Sequence, residues 1–411
     1  MDRIAIVGGS ASGFCAAQVL RKHGFGGSIS IIGAESHLAY ERPPLSKQLL
    51  AGTWDRSKIF FPRSGTDDLD WTLGRRAIGL DLANREIGID DGSSVGFDGL
   101  VIATGTDPRL LPPEACDPSI GGVFVLRTLD DAELIASRLD GDPKVVVVGG
   151  GFIGCEVAST CSKRVSSVTI VDPVPLLMSR ALGDQFAGFF AGLQRQGDVN
   201  LRLGVGLGRI EADDRGQVNS VVLDDGSRLD ADLVVVGIGV APATGWLKAS
   251  GIALHERDGG VLCNSKCAVL DTDGKPLENV VAAGDVAWWD HPVFGRPLRV
   301  EHWENAMSMG EVAALNLLGD ADSRIDHCDI PIFWSDQHGK KIQFVGVHDE
   351  GDQVKVVEGS PEEGRFVAVY SKDGIVTGAL GVGRAARVIG FRDMIAQSAP
   401  VSSVTGGLST I

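Results

Sequence analysis

What the 411-residue chain lacks narrows its identity before any motif is read. No apolar run approaches the roughly 20 residues of a membrane-spanning helix. The longest candidates, such as "LVVVGIGVA" at 233–241, are short and interrupted by glycine. No secretory leader is visible, because Asp2 and Arg3 run directly into the strand-like "IAIVGG". Both absences predict a cytoplasmic protein with no membrane partner. Positive charge is also short: 38 Lys and Arg against 54 Asp and Glu leave a formal net charge of −16, which argues against nucleic acid or anionic lipid as a partner. The seven cysteines are odd in number and scattered, with no C-x-x-C or C-x4-C spacing and no histidine at a ligand spacing from them. This pattern speaks against a disulfide framework, a metal site or a redox dithiol. Cys15 and Cys155 are expected in the core, and Cys263 with Cys267 is the only pair of suggestive spacing.

What is present is a duplication. The length exceeds one ordinary core of roughly 100–150 residues, and 44% hydrophobic against 22% charged residues is a soluble globular balance. "IAIVGGSASGFCAA" at 4–17 and "VVVVGGGFIGCEVA" at 145–158 set Gly8, Gly9 and Gly13 against Gly149, Gly150 and Gly154, each 141 residues on. "FDGLVIATGTDP" at 97–108 and "ADLVVVGIGVAP" at 231–242 share an Asp, an apolar strand, a Gly seven residues after the Asp and a Pro three beyond that. Each repeat therefore reads as a buried parallel strand, a glycine turn, a helix and a closing strand. The predicted fold class is α/β, with two doubly wound Rossmann-type nucleotide-binding domains, and two such domains imply two nucleotides. From about residue 325, alternating strands with Gly/Asp turns, followed by "RAARVIGFRDMIAQ" at 384–397 as a terminal helix, predict a small α+β C-terminal domain.

Glycines in such loops let the backbone turn tightly and approach a pyrophosphate, while the helix N-terminus supplies free N–H groups. Gly149, Gly151 and Gly154 satisfy G-x-G-x-x-G; in the first copy Ser10 replaces the middle glycine. Each loop is followed by an acid at the end of the next strand, Glu35 after "SISIIGA" and Asp172 after "SSVTIV", placed to accept hydrogen bonds from ribose hydroxyls. A carboxylate at Asp172 would repel a 2′-phosphate and so favours NADH over NADPH, with Arg180 the one nearby cation.

Five further stretches follow in order: "ERPPLSK" at 41–47, "ATGTDPR" at 103–109, "AAGDVAWW" at 282–289, "RVEHWENA" at 299–306 and "FWSDQHG" at 333–339. With the loops they closely resemble the FAD-dependent NADH:ferredoxin reductase family, of the putidaredoxin reductase and rubredoxin reductase type, which has a glutathione-reductase-like fold and serves bacterial haem-thiolate monooxygenases and Rieske dioxygenases. The resemblance implies a discontinuous FAD-binding domain at 1–110 and 246–320, an inserted NADH-binding domain at 111–245 and a C-terminal domain at 325–411. It places FAD along Gly8, Ser10, Ser12 and Gly13, with Glu35 on the adenosine ribose and Ala77 near the adenine. Lys47, Thr104 and Arg127 would line the cofactor, Asp285 would hold its ribityl or pyrophosphate portion, and Val300, His302 and Trp303 would edge the isoalloxazine. NADH would take Gly149, Gly151, Ile153, Gly154, Asp172, Gly237 and Gly239, with Glu156 toward the nicotinamide and Trp334 close to flavin and nicotinamide.

The chemistry so implied is hydride transfer from NADH to FAD, then single electrons to a [2Fe–2S] ferredoxin, by a monomer in which Lys47, Glu156 and Trp334 act at the catalytic centre. Related disulfide reductases and NADH oxidases need a cysteine in the stretch here occupied by "LAYERPPLSK", which has none. An NADH oxidase or quinone reductase, and an NADH-responsive interaction protein like the apoptosis-inducing factors, remain alternatives. An acidic ferredoxin would need a local basic patch on this acidic chain, for which Arg296, Arg299, Lys340 and Lys341 are the candidates.

Overall fold

The run Arg3–Val7 is apolar from Ile4 onward and so can sit between layers, buried on both faces as a parallel strand must be. In the computed structural model, which describes residues 1–406, it is an interior strand, third from one edge, of a nine-stranded sheet. Ser28–Gly33 pairs with it in parallel on one side and Gly99–Ile102 on the other. The next strand outward is Pro276–Ala282, whose Val280 lies opposite Leu100. The second valine run behaves alike. Val145–Val148 is the middle of a five-stranded parallel sheet, flanked by Val168–Asp172 and Leu233–Val236.

The chain divides into two units that each draw on distant segments. The first comprises Met1–Glu41, Ile59–Asp107 and Val240–Pro331; the second comprises Arg42–Lys58, Pro108–Gly239 and the chain from Ile332 onward. In the first, helix Ala11–Lys22 follows the opening strand and packs on helix Trp303–Leu318 so closely that a Cβ on Gly310 would stand 2.5 Å from the Ser12 carbonyl oxygen.

In the second unit one apolar core joins the valine sheet to a five-stranded antiparallel sheet built from Ile332–Gln337, Lys340–Gly346, Gln353–Ser360, Arg365–Lys372 and Ile375–Val382. Phe186, Phe190, Phe344, Phe366 and Tyr370 fill it. The Tyr370 hydroxyl is satisfied by the Leu182 carbonyl at 2.7 Å. The tail "RAARVIGFRDMIAQ" is two short helices, Ala385–Ile389 and Phe391–Ala396, instead of the single helix expected; the break falls at Gly390, the poorest helix former in the stretch.

Candidate active site

Both glycine turns are built so that only glycine fits. Gly8 has φ +121°, and a Cβ there would lie 2.1 Å from the Ala103 carbonyl oxygen; on Gly13 it would lie 2.0 Å from the Gly8 carbonyl oxygen. In the second unit Gly149 has φ +114° and a Cβ there would lie 2.2 Å from the Gly237 carbonyl oxygen, while a Cβ on Gly154 would meet the Gly149 carbonyl oxygen at 1.9 Å. Gly151, by contrast, has nothing within 4 Å on its Cβ side, leaving the outer face of that loop open.

Helices Ala11–Lys22 and Phe152–Cys161 start directly from these turns with no side-chain cap and no acid in the first turn. Their uncapped N–H groups and positive dipole ends suit a diphosphate. Ser12 Oγ is buried with no hydrogen-bond partner, as is Thr104 Oγ1. Two orphaned hydroxyls around one uncapped helix start fit a polar ligand such as the FAD pyrophosphate.

The acids sit as the strand ends dictate. The Tyr40 hydroxyl donates a short hydrogen bond to Glu35. Asp172 accepts from the Gly150 N–H at 2.6 Å and the Val174 N–H at 2.7 Å, so it clamps its own glycine loop. Ile153 is 48% exposed on the first turn of its helix, available for apolar contact with a dinucleotide. Arg180 is exposed. In the first unit His302 precedes helix Trp303–Leu318, and burial pushes its imidazole down to about 4, so the ring is neutral at physiological pH.

The most concentrated chemistry lies in the second unit. Lys47 stands in a π-helical turn, Leu45–Leu49, tied to helix Phe152–Cys161 by the Thr160 hydroxyl, which donates to the Ser46 carbonyl at 2.8 Å. Its ammonium meets the Glu156 carboxylate at 2.7 Å, and the two side chains are 12% and 3% exposed. Glu156 also accepts from Ser46 Oγ at 2.5 Å, Ser335 Oγ at 2.6 Å and the Asp336 N–H at 3.3 Å. Lys47 further donates to the Pro43 carbonyl at 3.1 Å. An acceptor-only carboxylate with four donors, and an ammonium with a carboxylate and a carbonyl, form a satisfied buried ion pair. Trp334 adjoins Ser335 in the same strand, with Lys341 Nζ 5.9 Å from its ring centroid.

The chain is similar to known proteins over most of its length. A family described as "Pyridine nucleotide-disulphide oxidoreductase" matches residues 2–310, and one described as "Reductase C-terminal" matches residues 332–405. The chain belongs to the pyridine nucleotide-disulphide oxidoreductase family. Within that family it is 34% identical to the biphenyl dioxygenase system ferredoxin–NAD(+) reductase component of Paraburkholderia xenovorans (strain LB400), over 95% of this chain and 94% of that one. Rhodocoxin reductase of Rhodococcus erythropolis is likewise 34% identical, over 88% of this chain and 82% of the relative. The fold matches the covalent putidaredoxin reductase–putidaredoxin complex with a TM-score of 0.91 at 30% identity, covering 99% of this chain and 96% of that one.

Despite the family's name, no cysteine stands between Cys15 and Cys116. Cys15 itself is buried beside the first glycine loop, and burial pushes its thiol up to about 11, away from thiolate chemistry.

Of the predicted residues, Lys47, Arg127, Glu156 and Trp334 fall in the second unit with the NADH loop, whereas Ala77, Thr104, Asp285, Val300, His302 and Trp303 fall in the first. One expectation needs correction. Arg299 does not serve as a docking cation: its side chain is 13% exposed and committed to Asp258 at 2.9 Å, Glu301 at 2.9 Å and the Asp285 carbonyl at 3.0 Å. It is an interior clamp on the segment that carries Asp285. Asp258, which also accepts from Trp288 Nε1 at 2.9 Å, is the residue that makes it so, and nothing in "HERDGG" signals this pairing across 41 positions. Ser46 and Ser335 were visible within "ERPPLSK" and "FWSDQHG", but only the folded chain shows both hydroxyls on one carboxylate.

Proposed function

We propose that the chain is an FAD-dependent NADH:ferredoxin reductase that delivers electrons to a [2Fe–2S] ferredoxin serving a bacterial monooxygenase or Rieske dioxygenase. The observation that carries this reading is a pair of uncapped dinucleotide loops in a chain with no cysteine from 16 to 115. FAD is assigned to the domain at 1–110 and 246–320 and NADH to 111–245, with 325–411 as the C-terminal domain.

The FAD that these residues would hold would supply a hydride acceptor for NADH and a source of single electrons. The chain's residues bind, orient and set charge. The loops through Gly8, Ser10, Ser12 and Gly13, and through Gly149, Gly151 and Gly154, hold the two diphosphates. Glu35 and Asp172 take the riboses; Ile153, Gly237 and Gly239 flank NADH, and Ala77 the adenine of FAD. Thr104, Arg127, Asp285, Val300, His302 and Trp303 line the flavin side. The neutral His302 can offer a hydrogen bond without adding charge. Lys47 and Glu156 supply a fixed buried dipole at the catalytic centre, and Trp334 a flat apolar surface. Cations for an acidic ferredoxin are Arg296, Lys340 and Lys341, of which Arg296 and Lys341 are exposed.

The test is NADH-dependent cytochrome c reduction by the purified protein, with and without a panel of [2Fe–2S] ferredoxins. Strong stimulation by one ferredoxin is expected. Steady NADH consumption in air with no stimulation would replace this reading with an oxidase, and slow flavin reoxidation by every acceptor with an interaction protein.

A further inference from the structure

Behind Glu156 the second unit holds polar side chains that the proposed reaction does not use. Gln194, Ser335 and Gln337 are all fully buried. Burying such groups is costly unless they are hydrogen-bonded, so their partners are informative. The Gln194 amide nitrogen donates to the Cys155 carbonyl at 3.4 Å and to Gln337 Oε1 at 2.9 Å. A carbonyl can only accept, which fixes the nitrogen end of the Gln194 amide. Its Oε1 then faces His338, whose Nε2, 2.9 Å away, must carry the proton. Gln337, oriented by Gln194, turns its own nitrogen to Ser335 Oγ at 3.1 Å, and Ser335 donates to Glu156 Oε1 at 2.6 Å. Every donor in the series points the same way, and the series ends on a carboxylate. Hydrogen bonds aligned like this polarise one another.

The outer end is equally constrained. The His338 N–H donates to Ser159 Oγ at 2.7 Å, and its backbone is held at φ +47°. The ring occupies the space a side chain at Gly197 would need, since a Cβ there would stand 1.9 Å from His338 Nδ1. Lys163 and Asp198 are the charged groups facing the half-buried ring, and burial pushes its pKa down, which keeps it a neutral donor.

The geometry points to a positioning role: the series His338, Gln194, Gln337 and Ser335 locks the Glu156 carboxylate in one orientation, and Gln194 and His338 thereby tune hydride transfer through Glu156. The inference rests on the proposed place of Glu156 at the nicotinamide end. Glu156 Oε2 is held by Ser46 and Lys47; without the series, Oε1 would keep only the 3.3 Å contact to the Asp336 N–H.

The test is a double-mutant cycle in the FAD-loaded full chain with Gln194→Met, Glu156→Gln and the pair. Two quantities are read: NAD⁺ affinity by calorimetry, and the limiting rate of flavin reduction by NADH in anaerobic stopped flow. Gln194→Met alone is expected to slow flavin reduction by about threefold to tenfold and to shift NAD⁺ affinity, and to change neither in the Glu156→Gln background. Equal effects of Gln194→Met in both backgrounds, or none in either, would overturn the inference while leaving the role of Glu156 intact. If Glu156→Gln by itself changes neither quantity, the reading of Glu156 fails, and the inference falls with it for that separate reason. His338→Phe, which keeps the ring packed against Gly197, goes through the same cycle should Gln194→Met fail to load FAD, with the same outcomes deciding.

Discussion

Lys47 and Glu156 illustrate how much a residue's meaning depends on its partner. Separately, each reads as an ordinary charged side chain; together they are a buried ion pair at 2.7 Å. Lys47→Met leaves an uncompensated buried carboxylate, so it is expected to cost about 3–5 kcal/mol in denaturant unfolding, with part of the loss recovered when Glu156→Gln is added. Histidine makes a second residue-scale prediction. His327 is fully buried, bonded to Asn305 Oδ1 at 3.0 Å, and burial pushes it down to about 4. The unfolded chain takes up this proton near pH 6.5 and the folded chain does not, so stability falls as pH drops from 6.5 to 4 and levels off below. The loss is about 3 kcal/mol for His327, and His302 adds to it with the same sign. Urea midpoints across pH 4–7 would check this; a flat profile would contradict it. The sequence supplied the charged and aromatic candidates because motif and spacing name them. It was silent on Gln194 and Asp258, whose importance comes from partners 143 and 41 positions away.

At the level of elements, strand–turn–helix units are legible because their signal is local: an apolar run, glycines at fixed offsets, then a helix. That locality makes the two loops separable by mutation. Gly13→Ala drives a Cβ into the Gly8 carbonyl and is expected to lower the flavin absorbance carried per chain. Gly154→Ala does the same to Gly149 and is expected to keep FAD while weakening NAD⁺ binding at least tenfold, since 1.4 kcal/mol suffices for that. Loss of FAD from both variants would show that the loops do not serve separate ligands. What local signal could not give was the order of strands in the nine-stranded sheet. The last helices seat closely on their sheet, where a Cβ at Gly381 would stand 2.2 Å from Val388 Cγ2.

For the molecule as a whole, charge sets the terms of encounter. A body of net charge −16 repels an acidic partner at long range, so local cations must capture it. Lys340→Glu with Lys341→Glu is expected to lower kcat/KM for ferredoxin several-fold with unchanged flavin reduction by NADH. The deficit should shrink as salt is raised and the Debye length falls below about 10 Å. An equal loss in both half-reactions would rule these lysines out as a docking site.

The nine-stranded sheet has one more consequence, for synthesis on the ribosome. Leu100 pairs with Val280, so the buried strand Gly99–Ile102 waits about 180 residues for its neighbour. At roughly 5–20 residues per second this is on the order of 10–40 s with an apolar edge open. During that interval the residues being made are largely those of the second nucleotide-binding sheet, which can close its own five strands by Val236. The nascent chain can thus close its second nucleotide-binding sheet first, and it passes through a stage when an exposed strand invites chaperones or neighbouring chains.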